Sequence, residues 1–487
     1  MTDTLTDTRH SPAAAPAAVR FSRLPQRGIL LGLSASRLVC LGISAAVLVV
    51  SLFAAGSTGA AFTLPLWAGA AAAALVRWRG KTLVELAPTA LHFLWRARTG
   101  QTRYRARPER PRPGGTLALP GEAAALRFLP DPDTAMLHDP HQHTLTAVAL
   151  VRHPAFVLLS PDEQARRVHG WSRALAHLAA TGGTRVQVLE ISLPDAGRGI
   201  TGWWQTHRAG DPNGWAARQY EELMTTVVPA AATHRTLVAL SLDLRKARAH
   251  IRQSGRGLQG AAAFLKQEMT SLEANLRAAD LILDTWLGEA DLAATLRTAY
   301  DPGYGAGDHI PARLEGAGPV AVDEHWDHLR HDTAYSAVLW VKEWPQTAAP
   351  PFFLHALIFQ PAIRKTLSIS YEPVPVEEAM RDIRRAKVEY ATDAAQKAKM
   401  GVLADLSESV EAADVLDRER ALVAGHADIR FTGMLTITTP TRDQLEAAVA
   451  EITRAAIQSG CEIQRLLGQQ ARAFTAAALP LARKVAR

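Results

Sequence analysis

From residue 38 to residue 76 the chain carries no charged side chain, and the apolar run is broken once, at Gly56-Ser57-Thr58-Gly59. The halves read LVCLGISAAVLVVSLFAA and AAFTLPLWAGAAAAALV. Each approaches the length that crosses a hydrocarbon core, the second near the short limit. Small polar residues with two glycines suit a turn. The pattern predicts a two-helix transmembrane hairpin. Residues 81–95 then space Leu83, Leu86, Leu91, Leu94 and Trp95 as one helical face, suited to lying on a lipid surface.

Beyond a Pro/Arg/Gly linker at 107–115, the pattern turns to that of a mixed α/β chain. Strand-like runs fall at 144–151, 156–159, 185–191, 236–242, 336–344, 366–371 and 430–438. Residues 161–180 read as a helix with acidic residues in its first turn and Gly182-Gly183 beyond its end. Residues 260–299 read as a long Ala/Leu-rich helical stretch broken near Gly288. Residues 377–422 read as a partly exposed helix pair, 442–459 as a helix capped by Thr441, and 466–478 as a last helix. No tandem repeat is visible.

The expected class is α+β: an N-terminal transmembrane hairpin followed by cytosolic mixed α/β domains. The expected divisions are a disordered cytoplasmic tail (1–25), the hairpin (26–80), and a basic amphipathic juxtamembrane segment with its linker (81–115). A first cytosolic α/β domain (116–335) and a second α+β domain (336–487) follow.

Charge orients the hairpin. Arg20, Arg23, Arg27 and Arg37 precede the first apolar half, and Arg77, Arg79 and Lys81 follow the second. The turn has no Lys or Arg, so both termini are expected in the cytoplasm, at a cell membrane. Trp67 and Trp78 suit the interfaces. The apolar run starts too far from Met1 for an ordinary secretory signal. Net charge is +7, with an arginine cluster from Arg96 to Arg112 beside the hairpin, which favours anionic lipid over nucleic acid as partner. Two cysteines, Cys40 and Cys461, exclude a disulfide framework and an intrachain Cys-based zinc site.

Candidate chemistry is sparse. Gly80-Lys81-Thr82 matches the end of a phosphate cradle, but Leu75 stands where its first glycine belongs. His138, His141 and His143 form one cluster; His325, His328 and His331 form another, at a spacing that drifts around a helix. Neither has the spacing of a hydrolytic zinc helix, and no nucleophile elbow is present. No cofactor, metal or catalytic residue is expected.

Three stretches carry a family resemblance. One runs DHLRHDTAYSAVLWVKEWP, FFLHALIF and RKTLSISYEPVP; another runs from RFTGMLTITT to GQQARAFTAAALPLAR; the third is ATLRTAYDP at 294–302. They resemble the non-ATPase N-terminal half of the large VirB-type ATPases that power type IV secretion and conjugation. The hairpin resembles the PrgI-like inner-membrane protein that associates with that ATPase. Together they look like an actinobacterial family of conjugation membrane proteins. The resemblance implies a non-catalytic inner-membrane scaffold that docks a separately encoded secretion ATPase, beside other membrane components and further copies of itself. In the related ATPases the counterpart of 468–481 leads into the motor. With the chain ending at Arg487, the motor is expected to be separate, and Gln469, Gln470, Arg472 and Phe474 are the expected docking residues. The alternatives are a two-span component of a type VII secretion complex and a membrane-tethered enzyme.

Overall fold

The computed structural model describes the chain except for residues 1–20, 22–33, 79, 110–113, 133, 153–155, 195–197, 209–210, 212–213, 228–231, 304–312, 348, 401–405, 425 and 485–487. The expected disordered tail, Arg20, Arg23, Arg27, Arg79, Arg110 and Arg112 therefore lie outside the described residues.

Alternating sequences such as TRVQVLEISLP (Thr184–Pro194) and DIRFTGMLTITT (Asp428–Thr439) put apolar side chains on both faces of an extended backbone, and both faces are covered. These strands belong to an antiparallel sheet of thirteen. Its order from one end is Arg103–Arg105, Ala321–Glu324, Leu329–His331, Ala334–Glu343, Asp428–Thr439, Arg364–Val374, Thr184–Pro194, Ala232–Asp243, Thr144–Arg152, Met136–Asp139 and Arg127–Leu129. Glu462–Arg465 pairs with Ala334–Glu343, and Ile282–Trp286 pairs with Thr144–Arg152. The chain is thus mixed α/β with a large antiparallel sheet.

The order is that of a repeat, which the sequence does not display. Each half begins with a three-strand meander, ending in Thr144–Arg152 or Ala334–Glu343. A helix follows (Pro161–Thr181; His355–Ile358), then a strand (Thr184–Pro194; Arg364–Val374). Next come two consecutive helices (Arg198–His207 with Trp215–Val227; Val376–Met400 with Leu406–Val423). A strand returns (Ala232–Asp243; Asp428–Thr439), followed by a helix (Gly257–Ala278, after an extra short helix Arg248–Gln253; Arg442–Gln458). A short strand then pairs back to the meander (Ile282–Trp286; Glu462–Arg465), and a last helix closes the unit (Glu289–Tyr300; Gln470–Ala477). The halves join where Thr184–Pro194 pairs antiparallel with Arg364–Val374, Ser368 opposite Leu189, so a pseudo-twofold axis passes through the sheet at this seam. The expected boundary between 335 and 336 falls inside strand Ala334–Glu343, and the sheet continues across it.

Directly paired residues share a face. At the seam Ile369 and Val188 face the helices Pro161–Thr181, Gly257–Ala278 and Arg442–Gln458, while Leu189 faces the other side. That second side holds the last helix of each repeat together with Leu117, Leu119, Leu479 and Leu481. The sheet curls around this core until its ends meet: Tyr104 Oη on one end strand donates to Ala118 O, 2.9 Å away, and nearby Thr116 bridges Arg127 at the other end.

Local departures from expectation have local causes. Phe156–Leu158 is a 3-10 turn rather than a strand, leading into the Ser160 cap, whose hydroxyl accepts from the Glu163 amide. The stretch 260–299 holds a strand as well as helices: Asp280 at φ 56 ends the first helix, and Ile282–Trp286 pairs with the meander before the next. The second histidine cluster is a β-turn and strand, not a helix; the His325 amide donates to His328 O across the turn.

Candidate membrane hairpin and its junction with the sheet

Helix Ala35–Phe62 is long and apolar enough to cross a membrane, by length and composition, and Leu64–Leu75 is a shorter apolar helix. The first is interrupted at Ala55 and Gly56, where Gly56 adopts φ 60 and ψ −148. Beyond that point the chain folds back. Cys40 Sγ donates to Ala70 O (3.4 Å), Ser44 Oγ to Trp67 O (2.6 Å) and Thr63 Oγ1 to Ser51 Oγ (2.9 Å), contacts whose sequence separation shrinks towards Gly56. Gly59 permits the tight approach, because a Cβ there would lie 2.6 Å from Ser51 O. The outer surface is apolar, with Phe53 90% and Phe62 89% exposed.

The two ends of the hairpin are tied together. Ser34 Oγ donates to Glu85 Oε1 (2.8 Å), Arg37 Nη2 to Glu85 Oε2 (3.2 Å) and Arg37 Nε to Thr82 Oγ1 (3.3 Å). Thr82 and Glu85 also form the capping box that starts helix Leu83–Arg98. Burial works against the Glu85 charge, but the bonds from Ser34, Thr82 and Arg37 outweigh it and hold the carboxyl at about 2. Of the other charges expected to orient the hairpin, Arg77 and Lys81 are exposed on a two-strand ribbon that turns at Gly80, and Arg27 and Arg79 lie outside the described residues.

Helix Leu83–Arg98 carries this junction to the sheet. Arg96 pairs with the buried Glu324 carboxylate, whose other oxygen accepts from the Ala471 amide (3.1 Å). Phe93 meets Trp326 edge-on at 5.3 Å. Trp326 in turn covers Gly468, whose amide donates to Trp326 O (2.7 Å) and whose φ is 70. The opposite face of this helix leaves Leu83, Leu91, Leu94 and Trp95 exposed.

The four expected docking residues separate. Gln470 is buried: its amide oxygen accepts from Val338 N (2.9 Å) and its nitrogen faces Leu466 O, so it stitches strand to helix. Phe474 is fully buried against Tyr300 and His331. Neither presents a surface, because the last helix fills the inside of the curled sheet. Gln469 is half-buried, and Arg472 is exposed and paired with Glu122.

No group of three or more potential metal ligands converges among the described residues. Ser192, His234 and Glu190 lie together, but Ser192 Oγ (3.4 Å) and Glu190 Oε1 (3.1 Å) both approach Nδ1 of His234. A nucleophile relay needs the two on opposite ring nitrogens. The functionally placed residues that sequence reasoning missed are Glu85, Glu324 and Trp326. Only Glu85 had a local signal, the Thr-x-x-Glu spacing before an apolar run. Compared with models of known protein families and with curated proteins, the chain matches none.

Proposed function

We propose that the protein is a membrane-anchored scaffold of a conjugation-type secretion apparatus, built to hold a separately encoded motor ATPase at the inner face of the membrane. The observation that supports the anchor is the bonding of Ser34 and Arg37, ahead of and within the first apolar helix, to Thr82 and Glu85 after the second. Groups flanking the apolar segment on both sides thus meet, which supports an even number of crossings. Two crossings with the Gly56 turn outside agree with the arginines at both bases and their absence from the turn. Helix Leu83–Arg98 then links the anchor to the second repeat through Arg96–Glu324 and Phe93–Trp326.

The secretion assignment rests on the sequence resemblance, and the exposed apolar residues of Leu83–Arg98 suit an anionic lipid surface. Two measurements test the reading. A reporter inserted at Ser57 is expected outside and one at the C-terminus inside; a cytoplasmic Ser57 rejects the anchor. Co-expression with the motor ATPase from the same genetic element should recover a stable complex from solubilised membranes. Recovery of the ATPase at the level of an unrelated membrane bait rejects the docking role.

A further inference from the structure

Three aromatic side chains from separate elements form a socket at the end of strand Ala334–Glu343. Trp344 follows that strand, Phe353 precedes helix His355–Ile358, and Phe431 lies on strand Asp428–Thr439. Trp344 meets Phe431 at 5.5 Å and Phe353 at 6.3 Å, both edge-on. The indole lies flat on the strand because position 433 is glycine: a Cβ there would come within 2.5 Å of the Trp344 ring. Phe21, from the segment ahead of the first apolar helix, fills the socket. Its ring stacks on Trp344 at 5.2 Å and contacts Phe353 at 5.4 Å and Phe431 at 5.7 Å.

We infer that this socket is the docking site of the chain's own Phe21, the plug, and that it straps the chain ahead of the hairpin to the second repeat. Offset stacking and edge contacts with three rings give Phe21 a directional attachment that a single apolar contact would lack. The docking needs no membrane and no partner.

The test uses the full chain in detergent micelles, so it stands or fails apart from the secretion role. With 4-fluorophenylalanine placed at position 21, stacking on Trp344 is expected to displace the fluorine resonance from its unfolded position. Phe353→Ala and Trp344→Leu should each return it towards that position. Trypsin supplies a second readout at Arg20 and Arg23: the strap should slow cleavage there, and Phe21→Ala should speed it by ~10-fold at unchanged melting temperature, since cleavage follows the released population. An unfolded-like resonance in the otherwise native chain, or equal cleavage of the native and Phe21→Ala proteins, overturns the proposal.

Discussion

Arg483 Nε lies 2.8 Å from Asp139 Oδ2, an ion pair joining the end of the second repeat to the meander turn of the first. Its counterpart joins the end of the first repeat to the meander turn of the second: Arg297 Nη1 donates to Asp332 Oδ2, also at 2.8 Å. The strands at the seam repeat the exchange, since Arg185 donates to Ala482 O and Arg364 to Thr298 O. Each repeat therefore closes on the other, which explains why the seam holds two units as one curled sheet.

The Arg483–Asp139 pair is almost fully buried, with side chains 6% and 4% exposed. Removing Asp139 leaves the buried Arg483 guanidinium only the more distant Glu122, 3.9 Å away. Asp139→Ala is expected to lower unfolding free energy by about 3 kcal/mol, the range for breaking a buried pair. Adding Arg483→Met should recover part of that loss. Urea titration of the single and double variants checks both; additive losses would mean that the pair does not couple the repeats.

His331 sets a pH limit. Its Nδ1–H donates to Tyr300 O, so Nε2 accepts from Ser336 Oγ (2.7 Å), and the ring is neutral and buried. Burial pushes it from 6.5 down to about 4, with Arg364 adding to the fall, while the Tyr300 bond and Asp301 oppose it. The unfolded chain takes up a proton near pH 6.5 and the folded chain does not, so stability is full above 6.5 and falls between 6.5 and 4. The loss is on the order of 3 kcal/mol at pH 4. His331→Gln should flatten that part of the melting-temperature profile relative to the native protein. An unchanged slope would assign the acid sensitivity to other groups.

The long strands and helices were legible because period-two and period-3.6 patterns run for many residues, as in Asp428–Thr439 and Arg442–Gln458. The repeat was not, because the two halves share an order of elements rather than side chains. Leu287-Gly288 and Leu467-Gly468, each between the short strand and the last helix, are the nearest to a common phrase. The short strands Ala321–Glu324 and Leu329–His331 carry too few residues to show a period and exist through pairing with distant partners. Gln470 misled for a related reason: a glutamine at a helix start reads as exposed, and its burial is decided by Val338, far off in sequence. The junction was half legible, in Thr82 and Glu85 but not in Trp326.

Gly468 is where the junction meets the core. Its φ of 70 is left-handed, and a Cβ would come 2.5 Å from the Trp326 ring and 3.1 Å from Thr89. Gly468→Ala is expected to cost more than about 1 kcal/mol and to loosen helix Leu83–Arg98. Hydrogen exchange should rise first in that helix and in the Trp326 turn. Exchange that rises only in the last helix would show that Trp326 does not carry the connection.

The last prediction separates folding from docking in the C-terminal helix. Gln470→Ala leaves the Val338 amide without its acceptor inside the core and should destabilise the protein by about 1–3 kcal/mol. Any loss of ATPase binding in that variant would then reflect unfolding. Arg472 is different: it pairs with Glu122 at the surface, both side chains well exposed, and such pairs contribute about 1 kcal/mol or less. Arg472→Glu should keep the melting temperature within a few degrees while reversing a charge on the face available to a partner. If the ATPase docks beside this helix, its recovery with the solubilised scaffold should fall several-fold and become salt-insensitive. Recovery equal to the native protein's, at equal stability, would remove Arg472 from the docking surface and direct the search to the exposed helices that follow the seam strands.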